Sequence, residues 1–239
     1  MDERLLDILL SSFTRLLIPC IKVTIPLTLI VFIVSTILGF FIALVQVLNI
    51  RVLKQIARAY IWIFRGTPLL VQLFIIFYGM PSLGIMIPAF PSAVIAFSMN
   101  YAAYSSETIR SAILSVPIGQ TEAGYMVGMS YTQIMINVIL PQAARVAFPT
   151  LFNSLIGLTK DTSLASSITV IEMFKTSQQI AGRYFEPFAL YCEAAVIYLA
   201  LSTVLTFVQS VIEKKLTWKA DTKNVKENRL EEINNGKNN

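Results

Sequence analysis

The sequence predicts an all-α integral membrane protein with about five transmembrane helices, and three observations carry that expectation. Of 239 residues, 55% are hydrophobic and only 14% charged, against about a quarter charged in soluble domains. Uncharged runs recur that approach or exceed the roughly 18 residues a bilayer-spanning helix needs. The lysines and arginines are also unevenly shared between the connecting loops, as a fixed orientation in a membrane requires.

The elements follow in order. In residues 1–18, Leu5, Leu6, Leu9, Leu10, Phe13, Leu16 and Leu17 interleave with Asp7, Ser11, Ser12 and Arg15, the spacing of a helix lying in the membrane interface. Asp2 and Glu3 ahead of it, with no small-residue cleavage site, argue against a removable signal peptide. Residues 19–215 are expected to form one transmembrane domain. Its first span covers about 25–47 without an ionisable group. Arg51, Lys54 and Arg58 then lead, with no acid among them, to a second span over about 59–80. Pro81, Gly84, Pro88 and Pro91, in a stretch without charge, turn the chain back.

The third span, about 92–113, is interrupted by Asn100, Tyr101, Tyr104, Ser105, Ser106 and Glu107, so it is expected to face other helices or a cavity. A mixed loop with short helices of its own follows, over about 115–146. The fourth span is placed at about 148–171 and the fifth at about 188–212, with Glu172, Lys175, Arg183 and Glu186 between them. Residues 216–239, rich in lysine, glutamate and asparagine, bury too little apolar surface to order and are expected to be disordered.

Five spans put the termini on opposite sides. With the N-terminus outside, the cytoplasmic side collects Arg51, Lys54, Arg58, Arg110, Arg145, Lys214, Lys215 and Lys219. The outer side holds Arg4, Arg15, Lys22, Lys175 and Arg183. The bias predicts an external N-terminus and a cytoplasmic C-terminus.

Composition also excludes. No histidine is present, which removes His-based catalytic triads and the commonest metal ligand. Cys20 and Cys192 stand in no metal-ligand or CxxC spacing. A net charge of +5, scattered along the chain, gives no basic face for a nucleic acid. No GxxxxGK[ST] segment occurs to cradle ATP phosphates.

The mixed loop reads PIGQTEAGYMVGMSYTQIMINVILPQAARVAFP. Its frame of Glu122, Ala123, Gly128, Val138, Leu140 and Pro141 resembles the EAA motif of the membrane subunits of binding-protein-dependent ABC importers. That motif runs Glu-Ala-Ala, three residues, Gly, nine residues, Ile, one residue, Leu-Pro. Gly124 replaces its second alanine and Val138 its isoleucine, without altering the spacing. FRGTPLLVQ at 64–72, which holds Arg65, Gly66, Thr67 and Pro68, and KDTSLASSI at 160–168 are similar to segments of the polar amino acid permeases. The resemblance covers about residues 20–215.

The resemblance implies a type I importer permease in a bacterial cytoplasmic membrane. Its coupling helix would contain Glu122, Ala123 and Gly124 and end at Gly128. Two separate ATPase subunits would use ATP and Mg, and this chain would bind no cofactor. The further partners implied are a second permease copy or paralogue, an extracytoplasmic solute-binding protein, and a polar L-amino acid of the glutamine, arginine, histidine, glutamate or cystine class. An ion-coupled secondary amino acid transporter is the alternative, since it too would place Glu107, Lys160 and Asp161 at mid-membrane; the lack of an internal repeat argues against it.

Lys160 and Asp161 fall inside the fourth span, where a lone charge costs at least about 2.5 to 3.5 kcal/mol. Neighbours on a helix point about 100° apart, so the two do not simply clasp each other. One cation, one anion and the hydroxyls of Thr162 and Ser163 suit a zwitterion: Asp161 for its ammonium, Lys160 for its carboxylate, with Glu107 and Asn100 for its side chain. The competing expectation is that Lys160 and Asp161 fix packing or a gate through salt bridges. Arg65 is expected to snorkel to the interface, Gly66 and Pro68 to break the helix there, and Glu193 to face water.

Overall fold

The computed structural model describes residues 3–215 in full and the backbone alone to 236; the charged tail from 216, expected to be disordered, lies outside the fully described residues. The described residues are helical, without strands. Among the described residues three helical runs are long and apolar enough to cross a membrane, and a fourth if a bent pair counts as one span, against about five expected; the stretch at 92–113 expected as the third span is not among them, its serines, tyrosines, Asn100 and Glu107 making it too polar.

The first run spans Glu3–Val47, 45 residues. Helix α1 (Glu3–Pro19) passes through a π turn at Cys20–Thr24 into α2 (Ile25–Val47). The boundary expected at residue 18 is therefore absent. Ile8, Ser12 and Leu16 of α1 are buried, Ile8 and Leu16 in a cluster with Met173, Ile180, Leu190 and Ile197, so α1 packs as part of the bundle.

The π turn has a local cause that recurs. A proline removes one N–H, and its ring collides with the carbonyl four residues back. Pro26, Pro81 and Pro141 each stand two residues after a π turn, at Cys20–Thr24, Ile75–Gly79 and Met135–Ile139 respectively. In each case the residue just before the proline donates its N–H five residues back, Ile25 to Cys20, Met80 to Ile75 and Leu140 to Met135. The wider turn moves the obstructing carbonyl aside.

The second span is broken rather than straight. Helix α3 (Arg51–Gly66) and α4 (Leu69–Phe74) belong to arms bent by 104°. The residue before a proline is forced out of the helical region. Thr67 accordingly lies at φ −120°, ψ 144° and Pro68 at φ −63°, ψ 137°.

Helix α5 (Ala89–Leu114) is the axle of the bundle, packing on α2, α3, α4 and α8. One set of its polar residues is covered by neighbouring helices, which accounts for much of its mixed composition: Ser92, Ser98, Asn100, Ser105 and Ser106 are all buried, while Tyr104 is 44% exposed. Small residues let it approach α2 closely. A Cβ on Gly39 would lie 2.8 Å from Ser105 Cβ and 3.0 Å from Ser106 N.

Helix α6 (Ile118–Met126) and the single turn α7 (Tyr131–Ile134) fill the mixed loop, and α7 continues through its π turn into α8 (Leu140–Asp161). The fourth span is thus longer than expected, Tyr131–Ile168, closing in a 3-10 stretch at Thr162–Ile168. Helix α9 (Met173–Tyr184) and the long α10 (Pro187–Gly236) complete the fold. Glu193 on α10 does not merely face water, because Ser12 Oγ donates a hydrogen bond to its carboxylate.

Candidate functional site

The helix break organises the most polar part of the interior. The last carbonyls of α3 have no partners within their own helix, and side chains supply them. Gln72 Nε2 donates to Phe64 O at 2.9 Å, Thr67 O at 3.1 Å and Thr67 Oγ1 at 2.7 Å. Asn100 Nδ2 donates to Phe64 O at 3.1 Å and to Gln72 Oε1 at 3.0 Å. Thr67 Oγ1 donates in turn to Ile63 O at 2.8 Å. Gln72 and Asn100 are both buried, and their donors are engaged in repairing the break.

Beside this repair lies a cavity of about 550 Å³. Arg65, Gly66, Thr67 and Pro68 form one wall, Asn100, Tyr101 and Tyr104 a second, and Ser154 with Asp161 a third. Tyr101 donates its hydroxyl to Asp161 Oδ2 at 2.7 Å. The Arg65 guanidinium carbon stands 5.1 Å from the centre of the Tyr104 ring, within the range of a cation–π contact. One cation and one anion therefore border a single chamber, each steadied by a tyrosine of α5.

The two adjacent charges of α8 part company. Asp161 borders this chamber, whereas Lys160 and Ser163 border another, of about 480 Å³, with Phe174, Tyr191 and Tyr198. Thr162 is buried and spends its hydroxyl on Thr159 O at 2.7 Å. Glu107 stands apart as well, paired with Arg110 at 3.3 Å beside a third cavity. The cluster of Lys160, Asp161, Thr162, Ser163, Glu107 and Asn100 expected around one ligand is thus divided; of its members, Asp161 and Asn100 share the chamber at the break. Among the described residues Asp161 is bound by Tyr101 of α5, and no salt bridge to Lys160 or Asp161 is present.

Sequence reasoning placed Arg65 at the interface and missed Tyr101, Tyr104 and Ser154 as chamber residues, and Gln72 as the side chain that repairs the break. Tyr101 and Tyr104, three apart on a helix, share a face. That spacing was the available signal for them.

The segment from Glu122 to Pro141 has its own geometry. Helix α6 ends where Gly128 adopts φ +79°, a left-handed conformation that glycine takes without steric cost. Gly128 N–H bonds to Tyr125 O and Met129 N–H to Gly124 O, both at 3.0 Å, the paired closure common at helix C-termini. Ser130 then opens α7 with a capping box to Gln133. Gly124 is buried, and a Cβ there would fall 2.6 Å from Ile134 Cγ1. Pro141 starts α8, and Gln142 ties α8 back to α6 through Gln120 at 3.3 Å. The opposite face of α6 is open: Ile118 is 71% exposed and Met126 88%, with Glu122 and Ala123 exposed beside them.

A buried carboxylate lies between the fourth and fifth spans. Glu172 is fully buried, and caps α9 by accepting Phe174 N–H at 2.7 Å and Lys175 N–H at 2.6 Å. Tyr198 of α10 also donates to it, at 3.1 Å. Burial nevertheless outweighs these bonds and pushes its carboxyl up to about 7.

Comparison with known proteins agrees with this architecture. The sequence profile of the family described as binding-protein-dependent transport system inner membrane component matches residues 35–218. The chain is 49% identical over 211 residues to the L-cystine transport system permease protein TcyB of Bacillus subtilis, covering 88% of this chain and 90% of that one. It is 44% identical over 185 residues to the probable amino-acid ABC transporter permease protein PatM of Vibrio harveyi, covering 76% and 83% respectively. Over 90% of its length it superposes on all of a chain from a solved amino acid ABC transporter with histidines, at TM-score 0.83 and 33% identity. These relatives give no support to an ion-coupled mechanism. The chain belongs to the family of binding-protein-dependent transport system inner membrane components, as a membrane-spanning permease subunit of a polar amino acid ABC importer.

Proposed function

We propose that the chamber at the helix break is where the amino acid passes through this subunit. Its ammonium would meet Asp161 and Tyr101, and its carboxylate Arg65, the role sequence reasoning gave to Lys160. The observation that carries the reading is that Asp161 and Arg65, from separate helices, border one cavity beside a broken span. Half-helices meeting at membrane depth are a recurrent way to line a transport site. L-cystine is the first substrate to try, because a relative at 49% identity is an L-cystine system permease.

The exposed face of α6 is read as the seat of an ATPase subunit. A short helix in a groove transmits rigid-body movement, and the apolar residues Ile118, Tyr125 and Met126 offer the contact area. Two ATPase subunits using ATP and Mg would act on two permease chains, with the N-terminus outside a bacterial cytoplasmic membrane and an extracytoplasmic binding protein delivering substrate. The test is uptake of labelled L-cystine, arginine, glutamine, histidine and glutamate into proteoliposomes holding the chain with its ATPase and binding protein. ATP-dependent uptake of one class that Asp161→Asn and Arg65→Gln each abolish supports the reading. Uptake untouched by both substitutions would place the pathway elsewhere.

A further inference from the structure

Where α2 ends, α3 begins and α5 ends, a cavity of about 560 Å³ opens. Lys54, Arg58 and Arg65 line it, and their spacing of four and seven residues puts them on one face of α3. Arg110 of α5 joins them. Against four cations stands one acid, Glu107, already engaged by Arg110 at 3.3 Å. Lys54 is held in place by Asn49 Oδ1 at 2.6 Å. Arg58 has no ionic or hydrogen-bond partner among the described residues.

Gln46, only 9% exposed, also borders the cavity. Lys54, Arg58 and Arg110, with Glu107 as the one acid in the lining, describe a site for an oxygen-rich anion.

The rest of the lining selects among anions. Val47, Ile61, Trp62 and Leu114 supply apolar surface to the same cavity, with Trp62 77% exposed and Leu114 61%. Val47 and Leu114 close α2 and α5 beside the Arg51 end of α3, the depth at which a bilayer passes from hydrocarbon to headgroups. Basic pockets between helices at that depth suit lipid headgroups. We propose that this cavity binds the phosphate of an anionic phospholipid, with Lys54, Arg58 and Arg110 around the headgroup and the acyl chains running past Trp62 and Leu114. Arg65 borders both this cavity and the chamber at the helix break, but the headgroup contacts proposed here do not use it, so the proposal stands or falls without the substrate reading.

Tryptophan occurs twice, at Trp62 and Trp218, so Trp218→Phe makes Trp62 the sole reporter. The full chain carrying that change, in phosphatidylcholine nanodiscs, is titrated with phosphatidylglycerol or phosphatidylcholine brominated high on the acyl chain. Quenching of Trp62 is expected to favour phosphatidylglycerol. Lys54→Gln with Arg58→Gln is expected to lower that preference by about fivefold for each cation removed, while Lys54→Arg with Arg58→Lys retains it, which separates lost charge from lost folding. Equal quenching by the two lipids, a preference unchanged in the double glutamine variant, or its loss in the charge-conserving variant overturns the proposal. Abolition of the preference by millimolar inorganic phosphate overturns it too, in favour of a free anion.

Discussion

Tyr101, midway along α5, donates its hydroxyl to Asp161, the last residue of α8, at 2.7 Å. The bond joins the most buried helix of the bundle to the point where the fourth span tightens into a 3-10 turn. A hydrogen bond to an ionised group contributes about 1.5 to 3 kcal/mol. Tyr101→Phe is therefore expected to weaken amino acid uptake by about tenfold or more without preventing assembly. Kinetics of uptake in proteoliposomes, set beside the detergent-solubilised elution profile, check both halves.

Lys160 and Asp161 should separate in the same assay. Asp161→Asn is expected to abolish uptake. Lys160→Met leaves the chamber at the break intact and is expected to retain a measurable fraction. Equal loss in both would return Lys160 to the pathway.

Asn100 and Gln72 offer a contrast with Asp161. Their donors serve the backbone of the broken span, so Asn100→Leu leaves Phe64 O short of one donor and removes a partner of Gln72. The expected cost is about 1 to 3 kcal/mol of stability, read as a lowered unfolding temperature in detergent. Substrate preference among the amino acids should stay the same.

Gly124 faces Ile134 so closely that an alanine there overpacks the seam between α6 and the next span. Gly124→Ala is expected to cost about 1 to 3 kcal/mol and to reduce substrate-stimulated ATP hydrolysis in the assembled complex. Ile134→Val added to it shortens the obstructing branch and should restore part of the loss.

Glu172 gives a pH dependence with a definite sign. Its carboxyl titrates at about 7 in the folded chain against 4.5 ordinarily, so between those values the unfolded chain releases a proton that the folded chain keeps. Stability is fully present below about 4.5 and is lost as pH rises through about 7. Thermal unfolding in detergent across that window should show the wild type falling relative to Glu172→Gln and running parallel to it above.

Much of this was legible in the residues. Ser92, Ser98, Asn100, Ser105 and Ser106 mark a helix largely covered by protein, and α5 is that helix. Gly66-Thr67-Pro68 signals a break through the steric rule for residues before proline. Gly128 of the Glu122-to-Pro141 frame marks the turn that ends α6. What escaped depended on partners distant in the chain. Glu172 sits in a polar stretch that reads as a loop, and its burial is made by Tyr198, 26 residues on, and by the helix carrying Cys20 and Thr24. Arg65 reads as a snorkelling residue because nothing nearby shows that Tyr104 will receive it. Lys160 and Asp161 read as one site because a linear sequence does not reveal which cavity each helix face meets.

The π turns ahead of Pro26, Pro81 and Pro141 alter how the spans must be drawn. Each takes one more residue than the α turn it replaces, which advances everything downstream by about 100° around the axis. A single helical wheel drawn from Tyr131 to Ile168 would accordingly assign lipid and protein faces correctly on one side of residue 137 and wrongly on the other. Scanning mutagenesis of this chain therefore has to be plotted on two wheels per interrupted span, and deleting one residue within such a turn is a milder change than deleting one anywhere else in the same helix.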